Sequence, residues 1–242
     1  MPHRFYAPQL ADAATVRLTA TEAHHLANVL RQQVGQQVML FDGRGREAVA
    51  VIEAISGRTV QLRREELREE DRRPAVDVVL AAAVPKGERV RWLVEKATEL
   101  GVHRFVPLMT QRSVVKPRDA KRKNLEQTGI AACKQCGRNT LMAIDPPTAW
   151  IEFLRAEFPP GRLLVAHPGG AACGPVIRRL AADANRSPVT LAIGPEGGWT
   201  EEELAGAQSV GAVTVHLGPT TLRIETAALA LAAAVLVALA ER

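Results

Sequence analysis

The stretch that most constrains the fold of this chain runs from residue 189 to residue 226. It begins with the apolar run Val-Thr-Leu-Ala-Ile and continues into Gly-Pro-Glu-Gly-Gly at 194–198; after a helix signal, Val-Thr-Val-His-Leu and Gly-Pro follow at 213–219. A β-branched, apolar run that stops at clustered glycine and proline is typical of a buried strand entering a loop. The stretch therefore predicts strand, glycine loop, helix, strand and glycine loop, and it indicates a cofactor pocket.

The helix between the two loops has its own start and stop signals. Thr200 followed by Glu203 predicts a capping box, and Gly211 marks the end. Residues 194–198 match neither the dinucleotide fingerprint nor a phosphate loop, and the carboxylates around the helix start would repel a polyphosphate. Taken alone, the loop remains open to a second interpretation, a tight turn without a ligand.

Composition excludes several classes of protein. The longest apolar run, residues 227–240, is shorter than the roughly 18 residues that a membrane-spanning helix needs. The N-terminus has no apolar signal core, and three cysteines cannot build a full disulfide framework, so we expect a cytoplasmic protein without a membrane partner. The pair His24-His25 lacks a ligand set, and no metal is expected.

Basic charge is concentrated in the middle third of the chain. Residues 74–140 hold 13 Lys and Arg against 6 Asp and Glu, and residues 112–123 hold six bases and one acid. Such a segment is usually a solvated loop and helix start, yet this density is also the footprint of a phosphate backbone. The sequence alone leaves both interpretations open.

The pattern of elements divides the chain near residue 73. Residues 1–73 predict a small β-rich domain, closed as a barrel, in which Thr21 caps a helix whose Leu26, Val29 and Leu30 fall on one face. A charged stretch at 63–74 predicts a linker. Residues 74–242 alternate strand and helix, which predicts an α/β domain with a mainly parallel sheet. The loops after Leu108 and at 167–170, 194–198 and 218–223 would then project from the carboxyl ends of strands, where ligands bind.

Cys133 and Cys136 have the spacing of half a zinc site or a redox pair. No second pair follows, and the motif lies in a predicted helix. Packing residues are the favoured interpretation.

The two glycine loops and several other motifs together resemble the SPOUT class of S-adenosylmethionine-dependent RNA methyltransferases, and within it the 16S ribosomal RNA (uracil-N3)-methyltransferase family. The motifs that carry this resemblance lie at 24–31, 86–87, 95–101, 111–115, 135–138, 193–198 and 217–227.

The resemblance implies an N-terminal PUA-like RNA-binding β-barrel at 1–73 and a SPOUT methyltransferase domain with a deep trefoil knot at 74–242. It also implies a homodimer that acts on the small ribosomal subunit, with S-adenosyl-L-methionine as cofactor. The glycines would let backbone groups approach the cofactor, and the apolar residues would form walls. The expected cofactor-binding residues are Ile193, Gly194, Glu196, Gly197, Leu217, Gly218, Leu222, Arg223 and Thr226.

Methyl transfer to uracil N3 also requires a stabilised anion and a proton acceptor. Arg112, Arg138 and Arg223 are the candidates for orienting or stabilising the base. Glu225 or Glu196 could accept the proton, or either could be a structural partner; we expect Arg223, Glu225 and Arg112 to be catalytic. The expected RNA-binding residues are Arg112, Lys116, Arg118, Lys121, Arg122, Lys123 and Arg138.

Three positions depart from the family pattern: Thr220 stands where Arg is common, Ile224 where Thr is common, and Lys134 where Glu often precedes the Gln. Thr220 and Ile224 keep a second hypothesis open, a non-catalytic RNA-binding protein on the same fold. A third is a SPOUT methyltransferase that acts on the ribose 2′-hydroxyl of transfer RNA.

Overall fold

The computed structural model describes residues 2–70, 72–117 and 122–240. They form two compact units. The first comprises Met1–Arg72 together with Ile130–Leu141, and the second comprises Arg73–Gly129 together with Met142–Arg242. The predicted boundary near residue 73 did not anticipate that a later segment belongs to the first unit.

The first unit is a curled six-stranded sheet around its own core. Its strands are β1 (Arg4–Tyr6), β2 (Thr15–Thr19), β3 (Gln37–Phe41), β4 (Arg46–Ser56), β5 (Thr59–Arg64) and β6 (Arg68–Glu69). The order is β1-β3-β4-β5-β2, with β6 beside β4, so among the described residues β1, β2 and β6 each have one neighbouring strand. Inward-facing residues of the strands, such as Val38, Leu40 and Ile52, are fully buried, which confirms the predicted β-rich domain.

The helix of this unit differs from its prediction. Helix α1 is Ala20–His24, so it begins before Thr21, and a π-helical turn follows at His25–Val29. The amide of Leu30 donates to the carbonyl of His25, five residues back. A π turn is wider than an α turn, which changes the direction of the side chains after it. Leu26 is fully buried, whereas Val29 is 58% exposed, so the two do not share one face as the helical spacing predicted.

Residues 130–141 join the first unit through polar contacts. The ammonium of Lys134 donates to both carboxylate oxygens of Glu22, at 3.0 and 3.1 Å, and lies 3.3 Å from Nδ1 of His25. Burial and the Lys134 charge lower the pKa of His25. Lys134, one of the departures from the family pattern, therefore has a structural ion-pair partner in this chain.

The second unit contains a seven-stranded sheet whose strand pairs are all parallel. Its strands are β7 (Val78–Ala83), β8 (Arg104–Met109), β9 (Ala143–Ile144), β10 (Thr148–Ala149), β11 (Leu163–Ala172), β12 (Val189–Ile193) and β13 (Val213–His216). The order is β10-β8-β7-β12-β11-β13, with β9 beside β8. This arrangement confirms the predicted α/β class; the trefoil knot stays a prediction.

Helices cover both faces of this sheet. They are α2 (Arg89–Leu100), α3 (Arg122–Cys136, which continues into the first unit), α4 (Trp150–Phe153), α5 (Cys173–Ala182), α6 (Glu201–Ser209) and α7 (Ile224–Ala240). Helix α7 is apolar on nearly every side and packs on β7 and β12, while a second core forms around Trp150 and Trp199. A helix that is hydrophobic all round is typical of a core position. Among the described residues, no helix combines the length and apolarity needed to cross a membrane.

Candidate cofactor site

A cavity of about 690 Å³ lies at the carboxyl ends of β11, β12 and β13. Ala166 of β11 pairs with Ile193 of β12 and with Val215 of β13, so the three strands reach the same level at this edge. The cavity is lined by residues 166–168, 193–199 and 215–224, and by Ala227. The two glycine loops thus meet at one cavity where parallel strands end, which is the usual position of ligands in such sheets.

A bulge in β11 forms one wall of this cavity. Both Ala166 and Ala171 pair with Val215, so residues 167–170 are looped out of the ladder. A Cβ on Gly170 would lie 2.5 Å from the backbone of Val215, and therefore only glycine fits there. Nδ1 of His167 accepts a hydrogen bond from the amide of Gly169, which leaves Nε2 of the neutral ring as its N–H donor. The sequence predicted a loop here but not that the strand resumes beyond it.

The first glycine loop is shaped by Trp199. A Cβ on Gly194 would lie 2.9 Å from the Trp199 indole, whose Nε1 donates to the carbonyl of Ala166 at 3.0 Å. The same indole packs on Trp150 with ring centroids 4.5 Å apart. We expected Gly194 to make room for a cofactor; in the structure it lines the cavity and also leaves space for this indole. A tryptophan directly after Gly-Gly is the signal that sequence reasoning overlooked.

Arg112 is hydrogen-bonded to the same loop. Its Nη1 donates to the carbonyls of Gly197 and Trp199, at 3.0 and 3.3 Å. A Cβ on Gly197 would approach the Cβ of Arg112 to 3.0 Å. Arg112 is exposed but does not line the cavity, so its clearest role in the structure is to hold the loop.

The predicted capping box of α6 is present and does more than cap the helix. Thr200 Oγ1 accepts from the amide of Glu203, and Glu203 Oε2 accepts from the amide of Thr200. The other oxygen of Glu203 accepts from the amide of Gln111 at 2.8 Å, and Glu203 is only 7% exposed. One buried carboxylate therefore ties the loop after β8 to the glycine loop after β12.

The second glycine loop, residues 217–223, is much less constrained. Gly218 has φ of +143°, a conformation that glycine adopts more readily than other residues, and a Cβ there would meet nothing within 4 Å. The described residues offer no side-chain hydrogen bond to residues 217–223. Here glycine is needed for the backbone conformation rather than for space.

Most predicted cofactor-binding residues line the cavity. They are Ile193, Gly194, Glu196, Gly197, Leu217, Gly218, Leu222 and Arg223. Thr226 does not line it; this residue is exposed in the first turn of α7. The lining also includes His167 and His216, which sequence reasoning did not single out, and Nδ1 of His216 is buried without a hydrogen-bond partner among the described residues.

The predicted catalytic residues occupy three different environments. Arg223 is exposed, lines the cavity and has no ion-pair partner among the described residues. Glu225 is buried, and its Oε1 lies 3.5 Å from Nη1 of Arg89, while its Oε2 has no partner. Of the two predicted proton acceptors, only Glu196 lines the cavity.

The predicted RNA-binding residues also differ in exposure and pairing. Lys116 and Lys123 are exposed, and Arg122 lies 3.6 Å from Glu126. Arg118 and Lys121 lie outside the described residues. Arg138 belongs to the first unit and is only 7% exposed, which leaves little of it for contact with RNA.

Neither cysteine of the Cys133–Cys136 pair forms a disulfide. Burial raises the pKa of the Cys133 thiol to about 12, and its Sγ lies 3.7 Å from the carbonyl oxygen of Thr140. A buried, protonated thiol is a packing group rather than a nucleophile. The described residues contain no group of three or more side chains that could hold a metal ion.

Comparisons with known proteins give one consistent result. An RNA methyltransferase domain model matches residues 72–236, and an RNA methyltransferase PUA domain model matches residues 18–63. Ribosomal RNA small subunit methyltransferase E of Bacillus subtilis is 33% identical over 228 residues, covering 91% of this chain and 89% of the relative. The protein of the same name from Mycobacterium bovis is 35% identical over 236 residues, covering 93% and 87%.

A solved structure is similar over nearly the whole chain. It is a ribosomal RNA small subunit methyltransferase E from Neisseria gonorrhoeae bound to S-adenosyl methionine. Its TM-score is 0.85 and its sequence identity 31%, covering 97% of this chain and 96% of that one.

Proposed function

The chain belongs to the ribosomal RNA small subunit methyltransferase E family, and from that premise we propose that it transfers a methyl group from S-adenosylmethionine to N3 of one uridine in 16S ribosomal RNA. The observation that carries the proposal is the cavity in which two glycine loops meet at the ends of three in-register strands. Supporting it, the similar structure from Neisseria gonorrhoeae has S-adenosyl methionine bound.

The lining of the cavity fits this cofactor. Its volume of about 690 Å³ lies within the roughly 300–1,000 Å³ usual for small-molecule sites. Ile193, Leu217 and Leu222 offer apolar walls, and the exposed backbone of the glycine loops offers hydrogen-bonding groups. Helix α6, directly after the first glycine loop, begins with three glutamates, which disfavour a polyphosphate there.

When bound, S-adenosylmethionine supplies a methyl group activated by its sulfonium, so the protein must mainly position the nucleophile and accept one proton. Arg223 lies at the cavity wall with no ion-pair partner in the described part of the chain, and its guanidinium would stabilise the anion left when uracil N3 loses its proton. Glu196 is the better placed of the two predicted proton acceptors, since Glu225 is buried beside Arg89.

We propose supporting roles for Glu225 and Arg112 in this reaction. Glu225 would fix the start of α7, directly after Arg223, through its ion pair with Arg89. Arg112 would keep the first glycine loop in place through its two hydrogen bonds to carbonyl groups. Both are then positioning residues rather than groups that touch the reacting atoms.

The proposal includes a homodimer in the cytoplasm, where the ribosomal RNA substrate is assembled into subunits. The support for the dimer is an exposed stripe along α7. This stripe comprises Thr226, Ala230, Ala234 and Val237, which is 63% exposed. Light scattering should give twice the chain mass for the wild-type protein and a lower mass for Val237→Glu. A monomeric wild type would remove the dimer from the proposal.

The decisive experiment supplies purified protein with unmodified small ribosomal subunits and S-adenosylmethionine carrying a labelled methyl group. Mass spectrometry of the digested RNA should then find labelled 3-methyluridine at one position. A 2′-O-methyl nucleoside would contradict the N3 assignment. Cofactor binding without any product would favour the non-catalytic RNA-binding protein.

A further inference from the structure

A second cavity, of about 520 Å³, lies along the carboxyl ends of β7, β8 and β9 in the same unit. Its lining includes Val84, which directly follows β7, Pro107 of β8 and Ile144 at the end of β9. It shares no lining residue with the cofactor cavity. The two cavities therefore occupy different parts of the same edge of the sheet.

The wall of this second cavity is largely apolar. It is formed by Val84, Val90, Val115, Leu125 and Ile144, together with four prolines. Leu125 and Ile144 are each 9% exposed, and so they belong to the packed core and present a fixed surface. Rigid apolar surfaces of this kind suit the flat face of a nucleobase.

The rim of the cavity carries more positive than negative side chains. Arg91, Lys116 and Arg122 line it, against Glu88 and Asp145. Arg91 is paired with Glu88 at 3.1 Å, and Asp145 lies 3.7 Å from Arg104. Lys116 is exposed and has no ion pair among the described residues, so its ammonium is available to a phosphate.

One short segment connects the two cavities. Arg112 is bonded to the glycine loop of the cofactor cavity, while Val115 and Lys116 line the second cavity. Three residues of extended chain span at most about 11 Å. Stacked nucleotides rise about 3.4 Å each along one strand, so a few nucleotides match the length of this segment.

We propose that the second cavity binds an unmodified nucleotide of the RNA, close in sequence to the uridine whose base enters the cofactor cavity. The base lies against the apolar wall at Val115, and a neighbouring phosphate pairs with Lys116. This inference rests on the proposed function, and it adds a subsite that helps to select which uridine is methylated.

The test measures KM for unmodified small subunits in the methyl-transfer assay, and Kd for S-adenosylmethionine by calorimetry. Val115→Asp places a carboxylate in the wall and should raise KM about tenfold. Lys116→Ala should raise KM about fivefold and should reduce the slope of log KM against log salt by about 1. Both variants should leave Kd for the cofactor within twofold of the wild-type value.

Two variants serve as controls. Val115→Ile keeps the wall apolar and should retain the wild-type KM. Arg179→Ala removes one positive charge from the last turn of α5, outside both cavities, and should change KM less than twofold. A wild-type KM in both Val115→Asp and Lys116→Ala would overturn the subsite. A KM that rises only together with the cofactor Kd would also overturn it, because the segment would then act through the glycine loop.

Failure of the proposed function would be visible separately, as absence of methyl transfer by the wild-type protein. In that case fluorescence anisotropy with fluorescein-labelled oligouridylate tests the subsite directly. Weaker binding by Val115→Asp and Lys116→Ala than by Arg179→Ala would support it, and equal binding by all three would overturn it.

Discussion

Both glycine loops of the cofactor cavity contain Gly-Pro, but they differ in their hydrogen bonds to the surrounding residues. The loop at 194–200 is bonded to its surroundings through Arg112, Trp199 and Glu203. The loop at 217–223 has no such contacts among the described residues, and it presents Arg223 to the cavity. The first loop is therefore a bonded scaffold, whereas the second carries Arg223, the residue that we propose stabilises the uracil anion.

Arg223→Ala should give the largest effect, because it removes the only charged side chain of the unconstrained loop. We expect kcat to fall roughly 100- to 1,000-fold, the usual cost of one group that stabilises a transition-state charge. The melting temperature should stay near its wild-type value, since Arg223 has no structural partner among the described residues. Arg223→Lys should recover part of the rate. A kcat near that of the wild type would remove Arg223 from the reaction.

Gly194→Ala should damage the scaffold loop through Trp199. The added methyl would lie 2.9 Å from the indole, and overpacking of this kind costs about 1–3 kcal/mol of unfolding free energy. Urea denaturation measures that loss, and calorimetry should show weaker cofactor binding. In a Trp199→Phe background the same substitution should cost less, because the smaller ring leaves space. An equal cost in both backgrounds would contradict the assignment of this glycine to indole packing.

Gly218→Ala is the matched change in the other loop and should cost about 1–2 kcal/mol through backbone strain alone. No described residue lies within 4 Å of the added Cβ, so the cost should not depend on substitutions at neighbouring positions. Its cost should therefore be the same in wild-type and Trp199→Phe backgrounds. A clear difference between the backgrounds would show that the two loops are coupled.

Glu203→Gln should have the smallest effect, about 1 kcal/mol, because the amide keeps the shape of the carboxylate but retains only one acceptor oxygen. The bonds at risk are those from the amides of Thr200 and Gln111. Urea denaturation should show this loss, and hydrogen exchange at Gln111 should accelerate. Unchanged exchange there would mean that Glu203 does not connect the two loops in solution.

Features encoded by neighbouring residues were predictable from the sequence. The order of elements around residues 189–226 and the Thr200–Glu203 capping box follow from local patterns of apolar residues, glycine and capping side chains. These signals act over a few residues, and one chain is enough to reveal them. The meeting of the loops at one edge followed from the general geometry of parallel sheets.

Features that depend on contacts distant in sequence were not predictable. The space beside Gly194 is filled by an indole whose position depends on Trp150 and on the carbonyl of Ala166. The second oxygen of Glu203 finds its donor at Gln111, 92 residues earlier. The exposure of Val29 follows from a π turn, which no simple apolar period encodes.

The membership of residues 130–141 in the first unit has a practical consequence for dissecting the protein. The chain passes between the units after residue 72, after residue 129 and after residue 141, so a single cut cannot separate them into complete halves. A fragment that ends at Arg72 would lose the ion pair between Glu22 and Lys134. It would also lose the hydrogen bond from the amide of Leu141 to the carbonyl of Gly43. The small domain should therefore be produced with a linker that carries residues 130–141 back to it, and poor folding of the shorter fragment would be no sign of a weak domain.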